Sequence, residues 1–414
     1  MTPTRRGLVL DDRLPPDPVT GRRERFAFPL LAYAFAAMML GTTMPTPLYA
    51  LYGDRMHFEV LTTTVIFATY AAGVLFALLA FGRWSDALGR RPVLLAGVGF
   101  AVASAMVFLV ADSVSVLLVG RVLSGLSAGV FTGTATAAVI EAAPQRWRSR
   151  AAAVATVVNI GGLGAGPLLA GLLAQYAPAP LHLVYVVHIA LSVLAAAAVL
   201  IAPETSPRSA PLGVQRLSVP PEVRAVFVVA GLAAFAGFAV TGLFAAVAPS
   251  FLSEVVGIEN HAVAGAIVFT IFAASAISQI FAGRMEARRA VAVGCAILVA
   301  GMAILAVALQ HSSLSGLIVA AVVAGAGQGI SFSRGLAAVA ELTPAERRAE
   351  VSSTYFVVAY VALSLPVVGE GLAAQAWGLR TAGVSFAVAV GVLAAICLAA
   401  ILRQQRSYAR NRLT

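Results

Sequence analysis

Arg121 and Glu370 are ionisable side chains inside long apolar runs, and both can do chemistry there. A charge in hydrocarbon is costly, so an intramembrane Arg or Glu is by default a functional candidate. A carboxylate that is shielded and then re-exposed can load and release a proton, because burial disfavours its charged form and a nearby Arg favours it. Glu370 lies three to four residues beyond Pro366, with apolar neighbours and no Arg close in sequence. That placement predicts a proton-loading acid, with Arg121 as the opposite charge that modulates release. Simpler readings stand beside these. Arg121 is about seven residues from a helix end and could snorkel to water, and Glu370 could face an aqueous vestibule. Glu141 is the next acid to consider.

Other chemistry is excluded by what the chain lacks. All 28 basic residues are Arg. A Walker-type phosphate loop needs its Lys and a Schiff base needs an amine, so ATP hydrolysis and pyridoxal or retinal chemistry are excluded. No cofactor and no metal site are expected, and the chain does not read as an enzyme. Cys295 and Cys397 sit singly in apolar runs and read as buried thiols. The remaining intramembrane polar groups are sparse. Tyr33, Thr43, Asn159, His188, Gln279, Gln328, Arg334 and Tyr360 are the candidates for a substrate cavity, although each alone reads equally as an interhelical hydrogen bond. Walls of Ala, Val, Leu and Phe suit a lipophilic or amphiphilic small molecule better than a free sugar.

The elements that must position these residues are membrane helices. Hydrophobic residues make up 60% of the 414 and charged ones 11%, with mean hydropathy +0.91, far from a water-solvated surface. Apolar stretches long enough to cross a bilayer are predicted at 27–51, 62–82, 93–111, 114–140, 151–175, 182–202, 225–251, 262–282, 290–309, 313–341, 351–375 and 381–402. Twenty-four of the Arg residues fall in the two tails and the even-numbered loops, against Arg55 and Arg380 in the odd-numbered loops. By the positive-inside bias both ends and the even loops are cytosolic. The net charge of +10 is thereby explained without nucleic acid. Residues 1–26, rich in Arg, acids and Pro, read as a disordered cytosolic tail. Residues 403–414 read as a basic cytosolic tail.

The chain repeats itself. The fourth run ends Glu141-Ala-Ala-Pro144 with Arg148 four residues on, and the tenth ends Glu341-Leu-Thr-Pro344 with Arg348, 200 residues later. Pro167 in the fifth run matches Pro366 in the eleventh. Between the halves, 203–223 is too polar to insert. The architecture expected is all-α: twelve transmembrane helices in two pseudo-symmetric six-helix bundles, 27–202 and 224–402, joined by a cytosolic linker.

Three motifs carry a resemblance. The loop Gly82-Arg-Trp-Ser-Asp86-Ala-Leu-Gly89-Arg90-Arg91-Pro92 resembles the signature loop of the major facilitator superfamily. Arg121-Val-Leu-Ser124-Gly125 resembles that family's fourth-helix motif, with Ser124 where Gln is usual. Gly162-Leu-Gly-Ala-Gly166-Pro167-Leu-Leu-Ala-Gly171 resembles the antiporter motif of its drug-exporting members, with Ala170 in place of one Gly.

The resemblance implies that Asp86 faces the start of helix 11 and latches the two halves, with Arg90, Arg91 and Arg148 as partners and Gly82 and Gly89 shaping the turn. The repeated Glu141 and Glu341, with Arg148 and Arg348, are read as part of the same gate. The corresponding loop Gly283–Arg289 is shorter and lacks the second Gly, so a second latch of equal quality is not expected. The implied function is proton-coupled efflux of small molecules by a monomer in the plasma (inner) membrane, its partners being substrate, protons and lipid. Sugar or metabolite transport is the alternative, and a receptor or a permease subunit ranks below both.

Overall fold

The computed structural model describes the backbone of residues 18–208 and 211–411 and the side chains of 26–208 and 211–403. Among the described residues, the regular structure is entirely helical and twelve helices are long and apolar enough to span a membrane. They are α1 (Pro18–Thr43), α2 (Val60–Phe81), α3 (Arg90–Leu109), α4 (Val114–Glu141), α5 (Ala151–Tyr176), α6 (Pro180–Ile201), α7 (Arg224–Ala246), α8 (His261–Ala282), α9 (Ala287–Gln310), α10 (Leu314–Leu342), α11 (Arg348–Trp377) and α12 (Leu379–Asn411). The helix is formed from Pro18, and residues 1–17 of the expected disordered tail lie outside the described residues. Proline is tolerated in a first helical turn, and the Arg-rich stretch after it favours helix.

The first span is broken where the apolar run predicts continuity. α1 stops at Thr43, and Pro45 and Pro47 divide it from a short helix, Tyr49–Met56. α7 likewise stops at Ala246, and past Pro249 the chain forms a wide helical turn over Phe251–Val256. Each proline removes a backbone donor and crowds the preceding turn. The first helix of each half thus bends at its end, a second element of the repeat. α3 needs a different device at its start: Gly89, at φ +108°, a region that favours Gly.

Within the first half α1 packs on α5, α6 and α4, and α3 lies between α4 and α6. In the second half α7 packs on α10, α11 and α12, and α9 lies between α10 and α12. The bundles meet along two seams, α5 with α8 and α2 with α11. Close approach is concentrated in the half of the molecule away from Asp86. A Cβ at Gly265 would lie 2.2 Å from the Pro167 carbonyl oxygen, and one at Gly371 would lie 2.3 Å from the Thr64 hydroxyl. Small residues let membrane helices approach this closely. Two hydrogen bonds cross the same half, from Gln375 Nε2 to Glu59 Oε2 (3.0 Å) and from the His261 N–H to Gln175 Oε1 (2.9 Å).

At the Asp86 face the linker bridges the bundles. The Gln215 N–H donates to the Leu79 carbonyl at the end of α2 (2.9 Å). Three residues later the Ser218 N–H donates to Thr354 Oγ1 of α11 (3.1 Å), and that hydroxyl lies 3.4 Å from the Ser218 carbonyl.

Candidate functional site

The signature loop is the centre of a polar cluster built within the first bundle. Arg90 at the start of α3 reaches Asp86 Oδ1 (2.5 Å), Ser85 Oγ (2.7 Å) and Glu141 Oε1 at the end of α4 (2.9 Å). Thr205 Oγ1 donates to Glu141 Oε2 (2.6 Å). Arg91 donates to the Ala202 carbonyl (2.6 Å). Arg90 is therefore the partner of Asp86. Arg148 is exposed and makes no ion pair among the described residues. Asp86 itself is half exposed, and its contact is to its own bundle, where the resemblance implies the start of α11. The cause is local: one turn of helix, Trp84–Leu88, followed by Gly89 folds Arg90 back over Asp86.

Glu204, which the sequence reading assigned to the polar linker, is the anchor of this cluster. Its carboxylate accepts the backbone N–H groups of Arg90 (2.7 Å) and Arg91 (3.1 Å), the free donors at the start of α3, and those of Thr205 and Ser206. Partial burial pushes its carboxyl up. The N–H groups of Ser206, Arg90 and Arg91 and the Arg208 charge outweigh burial and hold it below the usual carboxylate range. Gly89 is favoured by its φ of +108°, and a Cβ there would lie 2.6 Å from Glu204 Oε2, so a side chain would also displace the carboxylate. The available signal was an acid one residue past Pro203 at the end of an apolar run, but its target lies 114 residues upstream.

The repeat-related Glu341 and Arg348 of the second half do not pair with each other among the described residues. Glu341 is exposed and makes no ion pair among the described residues, and Arg348 Nε donates to the Thr343 carbonyl (3.2 Å). The repeated Glu–Pro–Arg spacing is thus carried by different contacts in the two halves.

Arg121 does not snorkel. It is 1% exposed, in the core of the first bundle. Its Nε donates to the Tyr49 hydroxyl and its Nη1 to the Thr42 carbonyl (2.7 Å). The rings of Tyr49, Tyr70 and Phe67 surround the guanidinium at 5.2, 5.4 and 5.9 Å. Cation–π attraction and two hydrogen bonds stabilise a buried charge that has no carboxylate partner among the described residues. Glu370 is also buried, at 3%, with Oε1 unpartnered, in the part of α11 that meets α2. Among the described residues no hydrogen bond or ion pair joins it to Arg121, whose Nε and Nη1 donate to Tyr49 and Thr42 instead. Burial also replaces the reading of Glu370 as an acid facing an open vestibule.

The glycines of α5 serve two partners. A Cβ at Gly162 or Gly166 would strike the Ala36 or Leu40 carbonyl of α1, and Thr43 Oγ1 of α1 donates to the Leu163 carbonyl (2.7 Å). On the other side Pro167 and Gly171 meet α8 at Gly265 and His261. The motif therefore packs its own bundle and one seam at once.

The remaining candidates divide. Tyr33 bonds the Leu191 carbonyl (3.2 Å) and Thr43 bonds α5, so both are ties within the first bundle. His188 fills the space beside Gly41 inside that bundle, with Nε2 unpartnered. It borders a void of about 10 Å³ with Ser104, Ser124 and Ser127, room for about one water. Ser275 joins Gln328 and Gln279 within the second bundle. Arg334 is half-buried with Nε unpartnered. It lies three residues beyond Ser331, which faces α9 at Gly294. Asn159 is half-buried and forms no hydrogen bond among the described residues. Tyr360 is the candidate that faces the other bundle, toward Thr132 and Tyr70. Half-buried Phe332 meets Phe238 at 4.8 Å and Phe356 at 5.9 Å, beside Tyr355. This aromatic group was not singled out from the sequence, where single Phe residues in apolar runs carry no signal.

Comparison with known proteins agrees with this geometry. The chain matches the Major Facilitator Superfamily over residues 30–286 and again over 229–413. It is 35% identical to the class E tetracycline resistance protein of Escherichia coli over 112 residues, 27% of each chain. It is 31% identical to multidrug resistance protein 2 of Bacillus subtilis over 147 residues, 34% of this chain and 36% of that one. The chain thus spans about two-fifths or less of the length of such relatives. A crystal structure of a bacterial homologue of the human lysosomal transporter Spinster, inward-facing and unoccupied, superposes with TM-score 0.72 at 16% identity, covering 92% of this chain and 97% of that one. Twelve spanning helices in two bundles, the Asp86–Arg90 turn and a family match across both halves lead to one assignment: this multi-pass membrane protein belongs to the Major Facilitator Superfamily.

Proposed function

We propose that the chain exports small lipophilic or amphiphilic compounds, coupled to proton entry, by alternating access between its two bundles. The termini and the Asp86 face are read as cytosolic from the Arg distribution, in a bacterial plasma membrane, with the monomer as the working unit. The observation that carries the export reading is the double packing of α5. Gly162 and Gly166 seat α5 on α1, while Pro167 and Gly171 close the seam with α8. This packing supports the reading, because the segment that resembles the antiporter motif lies on a seam that alternating access would open. Resemblance to tetracycline and multidrug resistance proteins and the aromatic group around Phe332 support a lipophilic cargo. Arg121, buried without a counter-charge, and Glu370, buried without a partner, are the groups whose charge states can couple transport to protons.

The test is transport in inverted membrane vesicles energised to acidify their lumen. Export predicts that fluorescent lipophilic cargo, or tetracycline, enters these vesicles and leaves on addition of a protonophore. Cargo movement indifferent to the protonophore sinks proton coupling. Sugar movement without lipophile movement favours the metabolite alternative.

A further inference from the structure

The linker between the halves would reach about 70 Å if extended from Pro203 to Val223, too slack by itself to restrain two bundles. At the Asp86 face, however, part of it is pinned to both. The Gln215 N–H donates to the Leu79 carbonyl in the last turn of α2 (2.9 Å), one of the carbonyls that a helix end leaves without an internal donor. The Ser218 N–H donates to Thr354 Oγ1 near the start of α11 (3.1 Å), and that hydroxyl donates in turn to the Glu350 carbonyl (2.8 Å). α2 and α11 form one of the two seams between the bundles. A Cβ at Gly82 would lie 3.5 Å from Gln215 Cβ, and one at Gly213 would lie 3.5 Å from Arg83 Nη1. The segment thus lies against the turn that carries Asp86. On its other side Val219 packs on the buried group of Phe227, Val351 and Tyr355 in the second bundle.

The short distance along the chain between the two anchors sets a limit. Three residues separate the two N–H donors, so they lie no more than about 11 Å apart. While both hydrogen bonds last, the Leu79 carbonyl and the Thr354 hydroxyl are held within about 17 Å of each other. The constraint acts in one direction. Backbone without regular structure, as at 213–219, can bow when the helix ends approach but cannot stretch when they part. Leu212, Val214 and Leu217 are exposed, so the hold rests on the two hydrogen bonds and Val219 rather than on burial of the whole segment. Asp86 does not supply this tie here, because Arg90 of its own bundle engages its carboxylate.

We propose that residues 213–219 are a strap that limits how far the two bundles part at the Asp86 face, slack when the α2–α11 seam closes and taut when it opens. Gln215 and Ser218 are its backbone anchors, and Thr354 is the side chain that positions its second end. The role rests on the alternating-access reading, since a strap limits nothing in a protein whose bundles do not part. It is independent of the cargo and of proton coupling.

The experiment is double electron–electron resonance on the full chain in nanodiscs, with the buried Cys295 and Cys397 replaced by Ala. Nitroxides on Leu88→Cys and Ala349→Cys, both exposed positions, read the Asp86 face. A second pair, on Tyr176→Cys and Trp377→Cys, reads the opposite end. Two changes separate strap length from anchoring. Inserting Gly-Ser-Gly after Arg216 keeps both anchors and lengthens the strap by about 10 Å, and the longest populated Leu88–Ala349 distance is expected to grow by up to that amount. Thr354→Val removes the acceptor and keeps the shape, and is expected to raise the population of long distances about fivefold, the worth of one neutral hydrogen bond. The Tyr176–Trp377 limit is expected to stay unchanged. Leu88–Ala349 distances that do not lengthen in a folded insertion variant that still exports would overturn the strap alone. A shift to shorter distances in Thr354→Val would also overturn it, as would widening at both ends. Lengthened distances in a chain that shows no proton-driven export would count against the proposed function alone.

Discussion

Glu204 accepts the backbone N–H groups of both Arg90 and Arg91, at 2.7 and 3.1 Å, so an acid following α6 caps the start of α3. The capped turn then presents the Arg90 side chain to Asp86 and Glu141. The motif loop is thus tied within the first bundle to the ends of α4 and α6.

Glu204 makes stability depend on pH in a known direction. Its carboxyl is held below the usual value of 4.5. The stabilisation is therefore complete above that value and is lost as pH falls through the lower folded-state value. Glu204→Gln removes this dependence and, by leaving α3 donors poorly paired, costs about 1–2 kcal/mol near neutrality. Thermal unfolding at pH 7 and pH 4 measures both: the gap between wild type and variant narrows in acid. An equal gap at the two pH values would show that Glu204 does not act through its charge.

Asp86→Asn leaves Arg90 held by Glu141 and Ser85, so fold and expression are expected to stay near wild type. Transport is expected to fall about tenfold, through a shift in the inward/outward population. Labelling of a cysteine at Ser352, near the start of α11, reads that shift directly. Wild-type transport with unchanged labelling would remove the latch role.

Glu370→Gln keeps the shape of a buried side chain whose Oε1 has no partner and removes its charge. Gradient-driven export is expected to be lost while substrate binding, and exchange without a gradient, persist. Full proton-driven export by this variant would exclude Glu370 and make Glu141 the next acid to test.

Gly265→Ala places a Cβ 2.2 Å from the Pro167 carbonyl. Overpacking of this kind costs about 1–3 kcal/mol, but here the cost applies only when α5 and α8 are closed together. The variant is expected to favour the state with this seam parted, seen as faster labelling of a cysteine at Asn260 and slower transport. Unchanged labelling would show that the seam does not open during the cycle.

Hydropathy and length alone determined that the chain is twelve helices, because a run of some twenty apolar residues in lipid has few other ways to satisfy its backbone. The Glu–Pro–Arg spacing exposed the repeat, and the Gly–Asp–Gly–Arg–Arg loop exposed the family. Pro45, Pro47 and Pro249 stand in the sequence, and the breaks at the ends of α1 and α7 follow from their missing N–H groups. What the tertiary structure decided is where each polar group points and with what it pairs. Apolar runs with hydrophobic residues on every side carry little record of which face meets water, a seam or a core. So Arg121 proved to be caged by Tyr49, Tyr70 and Phe67, and His188 enclosed by its own bundle. Glu204 found its donors more than a hundred residues away.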